Sequence, residues 1–210
     1  KNSGLKEFLK AGISVAVINY RYLSQGKDLT PRVKAPIYDA ARALQFIRSK
    51  ATEWNIDKTR IGATGGSAGG CTSLWLAFHD DLADPKNADP VLRESTRLFC
   101  AAVNRAQTTL DPKLMHEWTP NSRYGYRAFT LWSFRDFLKK REKLLPLITE
   151  YSPYSHVSAD DPGVYLFYDN TPSIGETQED PTHSANFGVK LKEHCDKIGV
   201  KCELVHDASS

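Results

Sequence analysis

The chain has 210 residues, of which 40% are hydrophobic and 25% charged, the composition of a folded globular protein and not of a disordered or fibrous one. Its 28 basic and 25 acidic residues leave a formal charge of +3, too even a balance for a surface built to hold nucleic acid. No apolar run approaches the ~18 residues of a membrane span, and no basic-then-apolar leader opens the chain. Compartment and oligomeric state stay open.

In chain order, Leu5 to Lys10 reads as a short helix closed by Ala11-Gly12, a glycine stop. Ile13 to Asn19 is β-branched and reads as a buried strand. A helix from about Pro36 follows, with Ile37, Ala41, Leu44, Ile47 and Ala51 at helical spacing. Arg60 to Thr64 is a second short strand, and Ser67 to His79 a helix directly after it. Leu98 to Val103 makes a third strand and Gly163 to Tyr168 a fourth. A helix from about Ser184 carries Phe187, Leu191, Cys195 and Ile198 on one face and stops at Gly199; Val200 to His206 makes a fifth strand.

This alternation predicts one α/β domain over residues 1–210 with a mainly parallel sheet flanked by helices. Residues 107–162 break the rhythm. They are polar and aromatic, with Trp118, Tyr124, Tyr126, Phe129, Trp132, Phe134 and Phe137, and read as an insertion of helical turns near the carboxyl ends of the strands, where α/β enzymes bind ligands. The plain alternative is that these aromatics pack the insertion onto the domain. Cys71, Cys100, Cys195 and Cys202 show no zinc-site spacing; four buried thiols is the simpler reading, with a short Cys195–Cys202 disulfide as the other.

Chemistry enters at Gly65-Gly66-Ser67-Ala68-Gly69. This is G-x-S-x-G between a strand and a helix, the context a nucleophile elbow requires. A serine at so sharp a turn has strained dihedrals, and glycines on either side remove collisions between strand and helix. The turn lifts the Ser67 hydroxyl to a helix N-terminus, whose free N–H groups favour developing negative charge, and the Ala68 N–H is placed to donate to an oxyanion. The alternative is a tight glycine turn around an unreactive serine. A phosphate loop fails on glycine spacing and on the absence of a following Lys-Ser/Thr.

Around this elbow, Asn19-Tyr20-Arg21, Asp39-Ala-Ala-Arg-Ala-Leu-Gln-Phe-Ile-Arg48, Glu53-Trp-Asn-Ile-Asp57, Arg60-Ile-Gly62 and Gly65 to Gly70 together resemble the α/β-hydrolase superfamily. The nearest likeness is to carboxylesterase and lipase-like members, including relatives of feruloyl and acetyl-xylan esterases. It is dense from about residue 11 to 80 and looser from 163 to 206. The resemblance implies acyl transfer from an ester to Ser67, with a carboxylate and then a histidine later in the chain. Of Asp169, Glu176, Glu179 and Asp180, it points to Asp180 as the acid, with Glu176 second; a solvated loop acid or helix cap is the plain alternative.

Two parts expected from that resemblance are not found. The histidine should follow the last strand, so it is expected beyond Ser210; His206 is a weaker candidate inside the strand, and His183 lies in the acid loop and could line the pocket. The H-G-G-G loop that supplies a second oxyanion donor should precede the first helix. The reading is therefore a serine carboxylic-ester hydrolase lacking its first strands and last helix, and poorly active as it stands. Its partner is a small-molecule, glycan or lipid ester, with no metal and no cofactor. The competing reading is a non-catalytic relative that keeps the elbow as part of a binding domain.

Overall fold

The computed structural model describes residues 3–207. Its centre is a sheet of four strands, β1 (Ala63–Gly66), β2 (Ala101–Asn104), β3 (Val164–Phe167) and β4 (Cys202–Val205). They lie side by side in chain order, and every pair is parallel, in registers such as Gly65 to Val103, Val103 to Leu166 and Leu166 to Leu204. Parallel neighbours need a crossover, and the helices provide it. α4 (Ala68–Phe78) leaves β1 at once and lies on β1 and β2, while α7 (Asn186–Ile198) lies on β4. α2 (Lys34–Ser49) packs against α4; α1 (Ser3–Lys10) and α3 (Ala51–Trp54) are short.

Side chains alternate across a strand, so each strand sends one set to the helices. Ala101, Val103, Val164, Leu166 and Cys202 join Leu74, Trp75, Phe78, Phe187 and Leu191 in one core. Tyr165, Phe167 and Val205, on the other face, are partly exposed. α7 fits its sequence closely: Phe187, Leu191 and Cys195 are fully buried at helical spacing, and Gly199 closes the helix at φ +93°, where a glycine carries no Cβ penalty.

Three expectations change. Ile13 to Asn19 is not a strand: among the described residues its backbone joins no sheet, and Ile13, Val15, Val17 and Ile18 are exposed, Val17 by 85%. A β-branched run becomes a strand only where a neighbour takes its N–H and C=O groups. Among the described residues the sheet therefore has four strands, not five, and β1 starts later than the apolar pattern indicated. Cys100 is exposed rather than buried, and all four cysteines are free thiols.

Between β2 and β3 lie α5 (Pro112–Trp118) and α6 (Phe134–Tyr151), with 3-10 turns at Tyr126–Phe129 and Pro153–Ser155. Asp111 begins α5 by accepting from the Lys113 N–H at 2.9 Å, and its carboxylate takes a two-pronged pair from Arg141 of α6 at 2.7 and 2.6 Å. Most of the aromatics here are structural. Trp118 meets Tyr154 and Phe187 edge-on, Tyr124 meets Phe187, and Phe129 meets Phe137. Trp132 is the exception, at 94% exposed. The plain alternative holds for most of this segment.

Candidate active site

The end of β1 and the start of α4 are joined by Ser67 alone, at φ 52° and ψ −122°. A non-glycine residue there is strained by ~1–3 kcal/mol and stays only where its surroundings hold it. They do: the Ser67 N–H donates to the Asn104 carbonyl at 3.1 Å, and its own carbonyl accepts from the Cys71 N–H at 2.9 Å. A Cβ on Gly65 would sit 2.6 Å from the Gly69 carbonyl carbon, and one on Gly70 2.8 Å from the Ala106 Cβ. Gly69 itself has open space. Of the two glycines that stand two residues from the serine, Gly65 alone meets a collision: it must be bare so that the strand can touch the helix backbone at Gly69.

The serine hydroxyl meets a histidine. Ser67 Oγ lies 2.8 Å from His183 Nε2, and His183 Nδ1 lies 2.8 Å from Asp180 Oδ2. Asp180, the candidate acid of the sequence, thus bonds the imidazole that meets Ser67. The histidine that reaches the serine is His183, three residues on in the same loop, not a residue after β4. His206 lies just past β4, and its Nδ1 faces the Asp207 carbonyl at 3.0 Å. A histidine beyond Ser210 lies outside the described residues. Burial acts to raise the Asp180 pKa, but the bond and charge of His183 and the N–H groups of His183 and Thr182 outweigh it, holding the carboxyl below its ordinary range. The carboxylate is therefore ionised at neutral pH and favours a proton on Nδ1, which leaves Nε2 as the acceptor for the serine proton.

The loop that carries Asp180 and His183 is fixed from several sides. Asn170, after β3, donates to the His183 carbonyl at 3.0 Å and accepts from the Ala185 N–H at 2.7 Å. Fully buried Asn186 donates to the carbonyls of Trp118 (2.7 Å) and Ser173 (2.9 Å), and accepts from the Ser173 N–H at 2.7 Å. Asn121 and Gln178 exchange two bonds, Nδ2 to carbonyl at 2.8 Å and N–H to Oδ1 at 3.0 Å. Gln107 donates to the Thr182 carbonyl at 3.0 Å and reaches Ser67 Oγ at 3.4 Å. So the segment between β2 and β3 contributes polar anchors for this loop, while most of its aromatics pack inside.

Two of the other candidate acids are engaged elsewhere. Asp169 pairs with Arg105 across the ends of β3 and β2, and Glu176 accepts from the Ser173 hydroxyl. The Ala68 N–H belongs to the first turn of α4, whose amides lack intrahelical acceptors, so it is available to an anion beside Ser67.

A model of the BD-FAE family matches residues 1–178. The chain belongs to the BD-FAE family. Among solved structures, an acetyl ester-xyloside bifunctional hydrolase from Caldicellulosiruptor lactoaceticus superposes with a TM-score of 0.69 at 25% identity, covering 97% of this chain and 64% of that one. A truncated carbohydrate esterase from gut microbiota shares the fold at TM-score 0.66 and 21% identity, covering 95% of this chain and 67% of that one. Esterase 2 of the Planctomycetes species Thermogutta terrifontis, with propionate bound, gives a TM-score of 0.59 at 25% identity over 90% of this chain and 58% of its own. Endo-1,4-beta-xylanase B of Butyrivibrio fibrisolvens is 38% identical over 90 residues, which is 40% of this chain and 13% of the xylanase. The BD-FAE chain thus spans about two-thirds of the first of these structures. The α/β-hydrolase fold is shared with them.

Proposed function

We propose that this BD-FAE chain carries the serine machinery of a carboxylic-ester hydrolase. The observation that carries the reading is the run of two 2.8 Å bonds from Ser67 through His183 to Asp180. Ser67 Oγ attacks the ester carbonyl carbon while His183 Nε2 takes its proton; Asp180 holds the imidazolium that results. The carbonyl oxygen, now an alkoxide, accepts from the Ala68 N–H at the helix N-terminus. Collapse expels the alcohol, which receives the proton from His183, and leaves an acyl group on Ser67. Water, deprotonated by His183, then releases the acid. The rate of p-nitrophenyl acetate hydrolysis tests this: Ser67→Ala abolishes turnover, and His183→Ala lowers kcat by about 10⁶-fold. Turnover by Ser67→Ala equal to that of the unaltered chain would end the proposal.

For the substrate, we propose a short acyl ester on a sugar. The acetyl-ester xyloside hydrolase and xylanase B among the relatives support this class, and most of the apolar surface near the site is used in packing. Acetate release from acetylated xylo-oligosaccharides, compared with hydrolysis of a long-chain p-nitrophenyl ester, checks it. A preference for the long chain contradicts it.

A second reading assigns the proton transfer to a histidine in the loop after β4. What favours it is that Asp180 and His183 share one turn, whereas the superfamily draws acid and base from separate loops. Under that reading His183→Ala leaves kcat within a few-fold. The binding-domain alternative is opposed by the alignment of all three side chains.

A further inference from the structure

Away from Ser67, by the length of α4 or roughly 17 Å at the helical rise, three side chains converge. They are His79 at the end of α4, Glu150 in the last turn of α6, and His156 just after the turn Pro153–Ser155. Their ligand atoms all lie within 4.8 Å of one another. His79 Nε2 and Glu150 Oε1 are 3.3 Å apart, and the two imidazole rings are 4.7 Å apart at their centres.

One ring nitrogen of each imidazole is already committed. His79 Nδ1 is 2.9 Å from the Asp80 carbonyl, and His156 Nε2 is 2.7 Å from the Glu150 carbonyl. A carbonyl can only accept, so both of these nitrogens carry protons. A neutral imidazole has one N–H, so in the neutral rings the free lone pairs are those of His79 Nε2, 3.3 Å from Glu150 Oε1, and of His156 Nδ1. A backbone carbonyl on the far nitrogen is the usual outer support of a metal-bound histidine. The support goes further: Trp75 Nε1 donates to the same Glu150 carbonyl at 2.7 Å, and the Trp75 ring lies against His79 with centroids 4.1 Å apart.

We propose that His79, Glu150 and His156 bind a divalent transition-metal ion of the zinc class, with water in the fourth position. The 3.3 Å between His79 Nε2 and Glu150 Oε1 is the edge of a tetrahedron with metal–ligand bonds of about 2.0–2.1 Å, so only His156 has to close in. The imidazole and carboxylate donors suit zinc, and suit calcium or magnesium poorly. Glu150 is 36% exposed and His79 12%, which leaves a path for the ion. The ion would tie the end of α4 to α6 and to the turn that follows it, a structural clamp remote from the ester chemistry. No motif marks this cluster in the sequence, because its residues are distant in the chain and match no ligand spacing.

Titration calorimetry with zinc on the chelator-washed protein tests the proposal, together with melting curves in zinc, magnesium or chelator. The expected result is one equivalent bound at micromolar affinity or better, a melting point raised by several degrees with zinc alone, and the ligand-field band of a four-coordinate ion with cobalt. His156→Ala and Glu150→Gln weaken binding at least tenfold, and His116→Ala, which removes an exposed imidazole outside the cluster, leaves it unchanged. If the cluster is only a His79–Glu150 ion pair, Glu150→Gln lowers the melting point equally with and without zinc and no saturable binding is seen. That result overturns the proposal, as does binding that survives His156→Ala.

Discussion

Gly65→Ala and Gly69→Ala are equivalent by the G-x-S-x-G pattern and opposite by the structure. A Cβ on Gly65 meets the Gly69 carbonyl carbon at 2.6 Å, its oxygen at 2.7 Å and the Gly70 nitrogen at 3.0 Å. All three are backbone atoms, so no rotamer can relieve the contact. β1 must move off α4 by roughly 0.7–0.8 Å to reach ordinary contact, and overpacking of this kind costs about 1–3 kcal/mol. For a chain of this length that lowers Tm by roughly 2–12 °C. Because Ser67 sits at the junction being forced apart, a misplacement approaching 1 Å reduces kcat by about 10²-fold. Gly69→Ala adds a methyl into open space within α4, where alanine is favoured over glycine by about 0.8–1 kcal/mol, so Tm rises by roughly 2–4 °C. Thermal unfolding and p-nitrophenyl acetate turnover, measured on both variants, separate the cases. Equal destabilisation by the two substitutions would refute the one-sided contact and the argument built on it.

Other outcomes follow from the same geometry. Asp180→Asn leaves the fold intact but stabilises the wrong imidazole tautomer, so kcat falls about 10³–10⁴-fold while Tm moves little; activity within tenfold of the unaltered chain removes Asp180 from the mechanism. Asn186→Ala strands the Trp118 and Ser173 carbonyls and the Ser173 N–H, costing about 3 kcal/mol in urea unfolding, and lowers kcat through the loop that holds Asp180. Asp111→Ala removes the cap of α5 and the two-pronged partner of Arg141, which keeps only Glu142, costing about 2–4 kcal/mol; a loss under 1 kcal/mol would show that the pair does not couple α5 to α6. Asp39 is held below the usual carboxylate range, first by its side-chain bond to Arg21. Its contribution is therefore present above the unfolded value near pH 4 and lost as pH falls through the folded pKa. The stability gap between the unaltered chain and Asp39→Asn should close below about pH 4, and a gap independent of pH contradicts the assignment.

What the sequence disclosed was local. Ser67, the glycines and the start of α4 sit within six residues, and steric demand at one turn makes their pattern legible. α7 was legible for the same reason, since Phe187, Leu191 and Cys195 mark its buried face and Gly199 its end. Ile13 to Asn19 was not, because β-branched residues look alike whether or not a neighbouring strand takes up their backbone. Asp180 stood out as a candidate through its place after β3. His183 was passed over because the superfamily order directs attention beyond β4, although Asp180-Pro-Thr-His183 already put an acid and an imidazole on one turn. The aromatics between β2 and β3 suggested a binding surface by their number, and their ring contacts show that most are packing. His79, Glu150 and His156 had no local signature, since the crossover of α6 onto α4 alone brings them together.

Covalent labelling with a fluorophosphonate probe tests the central claim most directly. The geometry predicts stoichiometric labelling of Ser67 in the unaltered chain, none in Ser67→Ala, and labelling slowed by at least about 10³-fold in His183→Ala. Labelling that persists in Ser67→Ala, or that proceeds at the unaltered rate without His183, would contradict it.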